Sequence, residues 1–153
     1  MNIIYINDGA YCFVPNFIES HIAQQQTQRL VEQLQWRQDT ITMFGKTHNI
    51  PRLHAWYGDD SARYTYSKLT LNPIPWHPLL LELRDQCNLF CQQTFNGVLA
   101  NYYRNGQDCM GFHSDNEPEL GNNPVIASIS LGAERVLQMR HKNSKEKHDV
   151  NSY

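Results

Sequence analysis

The sequence predicts an α+β fold, on three observations. Apolar residues recur at helical spacing in two stretches, 22–34 and 79–90; short alternating runs of β type lie between and around them; and the second half carries strand-like runs in quick succession across loops rich in Gly, Asn, Asp and Pro, the pattern of antiparallel β structure. With 153 residues, 41% hydrophobic and 11% aromatic, the chain can bury one core and is too short for a second full domain, so residues 1–153 are read as a single domain.

The elements follow in order. After Pro15, Ser20 can cap a helix that turns Ile22, Leu30, Val31 and Leu34 inward. The alternating run at 39–44, Asp-Thr-Ile-Thr-Met-Phe, reads as a strand ending at Gly45-Lys46, and Tyr-Thr-Tyr-Ser-Lys-Leu at 64–69 reads as another. Pro78 opens an amphipathic helix over 79–90 with Leu80, Leu83, Cys87 and Phe90 on one face. Strands over 98–104, 125–131 and 135–140 complete the pattern. His141 falls in the strand and turn Arg-His-Lys, and His148 in the charged run KNSKEKHD, which reads as an exposed hairpin loop.

Composition narrows the function. The start MNIIYINDGAYCF has no basic segment followed by a long apolar run, and nothing approaches the roughly 18 apolar residues of a membrane span, so a soluble, cytoplasmic chain with no membrane partner is expected. Cys12, Cys87, Cys91 and Cys109 form no CxxC pair; Cys87 and Cys91, four apart in the second helix, read as buried thiols, and neither disulfides nor zinc is expected. Thirteen basic against 15 acidic residues argue against a protein that coats a polyanion, so any nucleic-acid contact must be focused in a local groove.

The stretch NGQDCMGFHSDNEPELG, residues 105–121, carries the chemistry. His113 and Asp115, two positions apart in extended chain, project to the same side, and an imidazole with a carboxylate can face one small cation; a second His from elsewhere would complete the facial triad that leaves open positions on non-haem Fe(II). A solvated polar loop is the competing reading of the spacing alone. Upstream, Asn101 and Tyr103 share one strand face and offer an amide and a phenol to a dicarboxylate, where an ordinary strand pair in a core is the alternative.

Residues 101–142, NYYRNGQDCMGFHSDNEPELGNNPVIASISLGAERVLQMRHK, resemble the AlkB family of Fe(II)- and 2-oxoglutarate-dependent dioxygenases, in which an Asn-x-Tyr strand leads into His-x-Asp-x-Glu and then Pro-Ile-Ala-Ser-x-Ser-x-Gly. The likeness extends upstream through MFGK (43–46), PRLHAWYG (51–58), YTYS (64–67) and PWHP (75–78), in the order and spacing of members that repair alkylated DNA, especially the double-strand-acting homologues. It implies a double-stranded β-helix, or jelly-roll, core preceded by N-terminal helices and strands. The cofactors implied are Fe(II), 2-oxoglutarate and O2, and the partner implied is alkylated DNA in duplex form, handled by a monomer.

Carried over by position, the resemblance makes His113 and Asp115 catalytic iron ligands, and Asn101 and Tyr103 the pair that binds 2-oxoglutarate. Glu117 matches the acid that contacts the exocyclic amine of a flipped base; Tyr64 and Tyr66 match the aromatic positions that hold that base, with stacking worth roughly 1 to 3 kcal/mol. Arg52 matches a basic DNA contact, Phe44 an apolar finger that enters the stack, and Lys46 sits where a phosphate would be met. Without the match, Phe44 would read as a core residue and Glu117 as a solvated loop acid. The implied reaction is oxidative demethylation of 1-methyladenine and 3-methylcytosine type lesions, releasing formaldehyde.

The family completes its iron site with a distal His and its 2-oxoglutarate site with two Arg residues on strands further on than Tyr153. His141 and His148 are too close in sequence to match the distal ligand. The chain is therefore expected to be the N-terminal part of a longer enzyme and inactive by itself. The same chemistry on RNA or single-stranded DNA, or a non-catalytic nucleic-acid-binding fragment, are the alternatives.

Overall fold

The structure, a computed structural model, describes residues 2–43, 45–62, 64–66, 69–115 and 120–152; at 41, 43, 64–66, 69–71, 151 and 152 the backbone alone is described. The elements run β1 (Ile3–Ile6), β2 (Gly9–Cys12), α1 (Ser20–Gln33), β3 (Thr40–Met43), β4 (Lys46–Asn49), β5 (Leu53–Gly58), β6 (Tyr64–Tyr66), β7 (Leu69–Leu71), α2 (Pro78–Cys91), β8 (Gly97–Tyr102), β9 (Arg135–Arg140) and β10 (Lys147–Ser152). Helices and small antiparallel sheets are thus mixed, as expected. The chain divides into two compact units, residues 30–127 and residues 1–29 with 128–153.

The unit of residues 30–127 holds the buried apolar core. Leu30 and Leu34 come from the end of α1, Ala55 and Tyr57 from β5, and Leu79, Leu80, Leu83 and Cys87 from α2. The second helix forms where its sequence predicts: Pro78 occupies the first turn, where its missing N–H costs nothing, and the His77 side chain accepts from the Leu79 N–H at the N-cap. It stops at Gln92, which adopts left-handed backbone, and the Asn88 side chain then accepts from Phe95 N–H at 2.8 Å. Burial pushes the Cys87 thiol up, with Cys91 adding to it.

The pairing that positions the candidate site is non-local: β5 and β8 are antiparallel neighbours in a register from Leu53↔Tyr102, through His54↔Asn101, to Gly58↔Gly97. The ladder stops after Tyr102 because Arg52, the next position, donates its N–H to Ile50 O instead. Tyr103 therefore lies one residue beyond the strand that was expected to carry it together with Asn101.

Four further expectations need correction. Ile22 was expected inward, yet it is exposed, because the burying face of α1 lies at its far end with Leu30 and Leu34. The run 64–69 is not one strand but the two arms β6 and β7, paired Tyr64↔Leu71 and Tyr66↔Leu69; alternating triplets satisfy each other's backbone groups. Residues 125–131 belong to no strand despite their β-branched composition, and Val125 and Ile126 are exposed, since a strand exists only with a partner. His148 lies within β10, not in a loop: only residues 142–146 of the charged run fall in the turn of the β9–β10 hairpin, and His148 pairs with Met139.

In the other unit, β1 pairs with β2, and polar contacts tie their turn to the β9–β10 hairpin. His141 Nε2 meets Asp8 Oδ2 at 3.0 Å, Asn7 donates to Glu146, and Glu146 takes His148 Nε2 at 3.1 Å.

Candidate functional site

The path from β8 to the His-x-Asp pair is a short loop built around one carboxylate. Asp108, buried, accepts from Arg104 three times: from its backbone N–H at 2.9 Å, from Nε at 2.7 Å and from Nη2 at 2.9 Å. Cys109 N–H then donates to Pro51 O at 3.0 Å, fastening the loop to the segment that precedes β5. The chain next reaches Gly111, whose carbonyl lies 2.9 Å from His113 Nδ1.

That last contact decides the state of the imidazole. A carbonyl oxygen can only accept, so Nδ1–H donates to it, and in the neutral ring Nε2 presents a lone pair. Nε2 is 3.5 Å from Asp115 Oδ1, with the two side chains 43% and 42% exposed. The separation falls in the 3 to 5 Å expected of two groups turned to one ion. Two acceptors in this position repel each other unless a cation or proton lies between them. Donors about 2.1 Å from a first-row ion and cis to each other stand roughly 3 Å apart, so a small adjustment fits both to one metal. A ring nitrogen that donates to a backbone carbonyl while its partner faces the metal is the usual second contact of a metal-binding His. Among the described residues, no group of three or more His, Cys, Asp and Glu could hold an ion.

The remaining expected site residues divide into three groups. Asn101, in β8, is exposed, and Tyr103, just beyond it, is half-buried. Lys46 opens β4 opposite Met43 and is exposed. Arg52, expected to contact DNA, is 7% exposed, and its Nε has no hydrogen-bond partner among the described residues. Phe44 and Glu117 lie outside the described residues, as do the side chains of Tyr64 and Tyr66, whose backbone forms β6.

Sequence reading passed over a polar cluster built on buried His54, beside this strand pair. His54, opposite Asn101 in the register, has Nε2 2.9 Å from Asp39 Oδ2, and Asp39 Oδ1 accepts from Arg37 Nε at 2.9 Å and Nη2 at 2.6 Å. Burial lowers the pKa of His54, Asp39 opposes this, and Arg52 and Arg37 add to the lowering. It also passed over Arg104 and Asp108, for which opposite charges four residues apart beside the His-x-Asp segment were a readable signal. The role of the Gly111 carbonyl has no side-chain signal at all.

The His113–Asp115 pair, with Asn101 in β8 and Tyr103 just beyond it, is the donor set expected of a class of oxygenase that uses a metal and a dicarboxylate. The profile described as the 2OG-Fe(II) oxygenase superfamily matches residues 10–151, and the chain belongs to that superfamily, whose cofactors are Fe(II), 2-oxoglutarate and O2. Within it the chain is similar to AlkB homologues, as its motifs imply. It is 42% identical over 132 residues to the alpha-ketoglutarate-dependent dioxygenase alkB homolog 3 of Bos taurus, covering 86% of this chain and 46% of that protein. It is 44% identical over 140 residues to the DNA oxidative demethylase ALKBH2 of Homo sapiens, covering 92% of this chain and 54% of that protein. The chain spans about half the length of the curated relatives it matches. No described helix is long and apolar enough to cross a membrane.

Proposed function

We propose that the complete protein oxidatively demethylates N-alkylated bases in DNA, of the 1-methyladenine and 3-methylcytosine type, and that residues 1–153 are part of one jelly-roll dioxygenase domain. The observation that carries the reading is the His113 ring, fixed by the Gly111 carbonyl so that its Nε2 lone pair faces Asp115 Oδ1 at 3.5 Å. His113 and Asp115 hold the iron; Asn101 and Tyr103 donate hydrogen bonds to 2-oxoglutarate. When bound, the metal and co-substrate supply the oxidation by O2 that hydroxylates the N-methyl group, which then leaves as formaldehyde.

The other residues handle the base. It must leave the stack to reach the site, and Tyr64 and Tyr66 clamp it while Glu117 accepts from its exocyclic amine. Phe44 fills the gap in the duplex and Lys46 meets a phosphate. A buried guanidinium whose Nε has no partner among the described residues, as at Arg52, stands to gain from an anionic partner, which favours a phosphate contact on DNA binding. Four free thiols fit a monomer in the reducing cytoplasm.

The test is formaldehyde release from a methylated oligonucleotide by the complete protein, with and without 2-oxoglutarate. Replacement of His113 or Asp115 by Ala is expected to lower the rate at least about a hundredfold, the size of effect that loss of a metal partner produces. Undiminished release by either variant would remove the metal role. A protein that binds the oligonucleotide but releases nothing would be the non-catalytic alternative.

A further inference from the structure

We propose that Asp108, clamped by Arg104, is a positioning residue for the candidate metal site, a role that rests on the metal reading above. The site's own side chains are poorly held: His113 and Asp115 are close to half exposed, and among the described residues the ring of His113 is fixed by the Gly111 carbonyl and faces Asp115 alone. Side chains without a packed wall inherit their place from the backbone beneath them. That backbone is anchored at Asp108, which lies in sequence between Tyr103, just beyond β8, and His113.

The anchor is unusually complete for so short a loop. Besides the forked pair and the backbone N–H of Arg104, Asp108 N–H donates to Asn105 O at 3.3 Å, and Asn105 Oδ1 accepts from Gln107 N–H at 2.8 Å. The neighbouring Cys109 N–H ties the loop to Pro51, next to Arg52. An exposed ion pair four residues apart would do little, but here the carboxylate is buried, so its loss of charge or of its partner is felt by the whole loop. The hydrogen bond that Arg104 donates to Asp108 also raises the pKa of Arg104 further above its ordinary value, so the guanidinium of the clamp stays charged. One carboxylate thereby keeps the co-substrate pair, the metal pair and Arg52 at a fixed spacing.

The test uses the complete protein and Mn(II) as probe, with free Mn(II) read by electron paramagnetic resonance in the presence of 2-oxoglutarate. Asp108→Asn is expected to weaken Mn(II) binding about tenfold, as outer partners of metal ligands do, while circular dichroism stays that of the folded protein. Arg104→Gln, which removes the partner from its more exposed end, should weaken binding in the same direction, and Arg104→Lys should recover part of it. A merely structural clamp would lower the unfolding temperature and leave the affinity of the folded protein unchanged; that result overturns the proposal. Should Asp108→Asn not fold, Arg104→Gln decides by the same criterion. His113→Ala separates the two readings: if it binds Mn(II) like wild type, the metal site itself is misassigned, whereas if it alone loses binding, only the positioning role of Asp108 falls.

Discussion

A histidine does different work according to which ring nitrogen holds the proton, and two histidines here are set in opposite senses. At His113 the Nδ1–H is held by a carbonyl and Nε2 faces Asp115; at His54 the Nε2–H is given to Asp39, and the ring is buried. Because burial depresses the His54 pKa, the unfolded chain takes up a proton at higher pH than the folded one. The contribution of neutral His54 is therefore present above the ordinary value of 6.5 and is lost as pH falls from 6.5 towards the lowered folded value. Urea unfolding of the complete protein between about pH 8 and pH 5 should show wild type losing more stability than His54→Gln. Parallel curves for the two proteins would mean that His54 does not titrate with folding. At the co-substrate pair, Asn101→Ala is expected to raise the KM for 2-oxoglutarate about tenfold, the loss of one hydrogen bond to a charged group, with a smaller change in kcat. An unchanged KM would remove Asn101 from that role.

At the scale of elements, the β5–β8 ladder is closed at one end by two glycines in close approach. A Cβ on Gly97 would lie 2.8 Å from the Trp56 ring, which is itself held by Nε1–H donating to Ala62 O at 2.8 Å. Gly97→Ala should therefore destabilise by about 1 to 3 kcal/mol in urea unfolding. Leu79→Ala, at a position 1% exposed, should cost about 2 to 5 kcal/mol. A cost under about 0.5 kcal/mol at either position would show that the surroundings relax freely. The second helix was legible because its signals are local, a proline at its start and apolar residues at helical spacing. The β5–β8 pair was not, since α2 and the β6–β7 hairpin separate its strands and no periodicity within β5 names its partner. Residues 125–131 show the converse: strand composition is present, but pairing is decided elsewhere.

For the molecule as a whole, a net charge of −2 leaves nucleic-acid binding to a few placed cations rather than to a general field. Lys46→Ala in the complete protein should weaken binding of all sequences alike and reduce the salt dependence of binding by about one phosphate contact. An unchanged salt slope would take Lys46 off the phosphate. Phe44 carries the duplex question. Unstacking costs a few kcal/mol in a duplex and little in a single strand, so Phe44→Ala should lower demethylation of a methylated duplex much more than of the same strand alone. Equal losses at matched salt would make Phe44 a support of the fold.

Read residue by residue, the chain already announces α2, the alternation that puts His113 and Asp115 on one side, and through its 101–142 motif the oxygenase superfamily. These are short-range properties, written in spacing and in residue types that chemistry requires. The proton on Nδ1 of His113, the burial of Arg52, the end of β8 before Tyr103 and the anchoring of the site loop by Asp108 came from the folded chain alone. Each depends on a group that folding brings alongside: the Gly111 carbonyl, the core around Arg52, the Arg52 N–H turned to Ile50, the guanidinium of Arg104. Burial and hydrogen-bond choice are settled by competition among all the partners within reach, and a linear sequence does not say which partners those are.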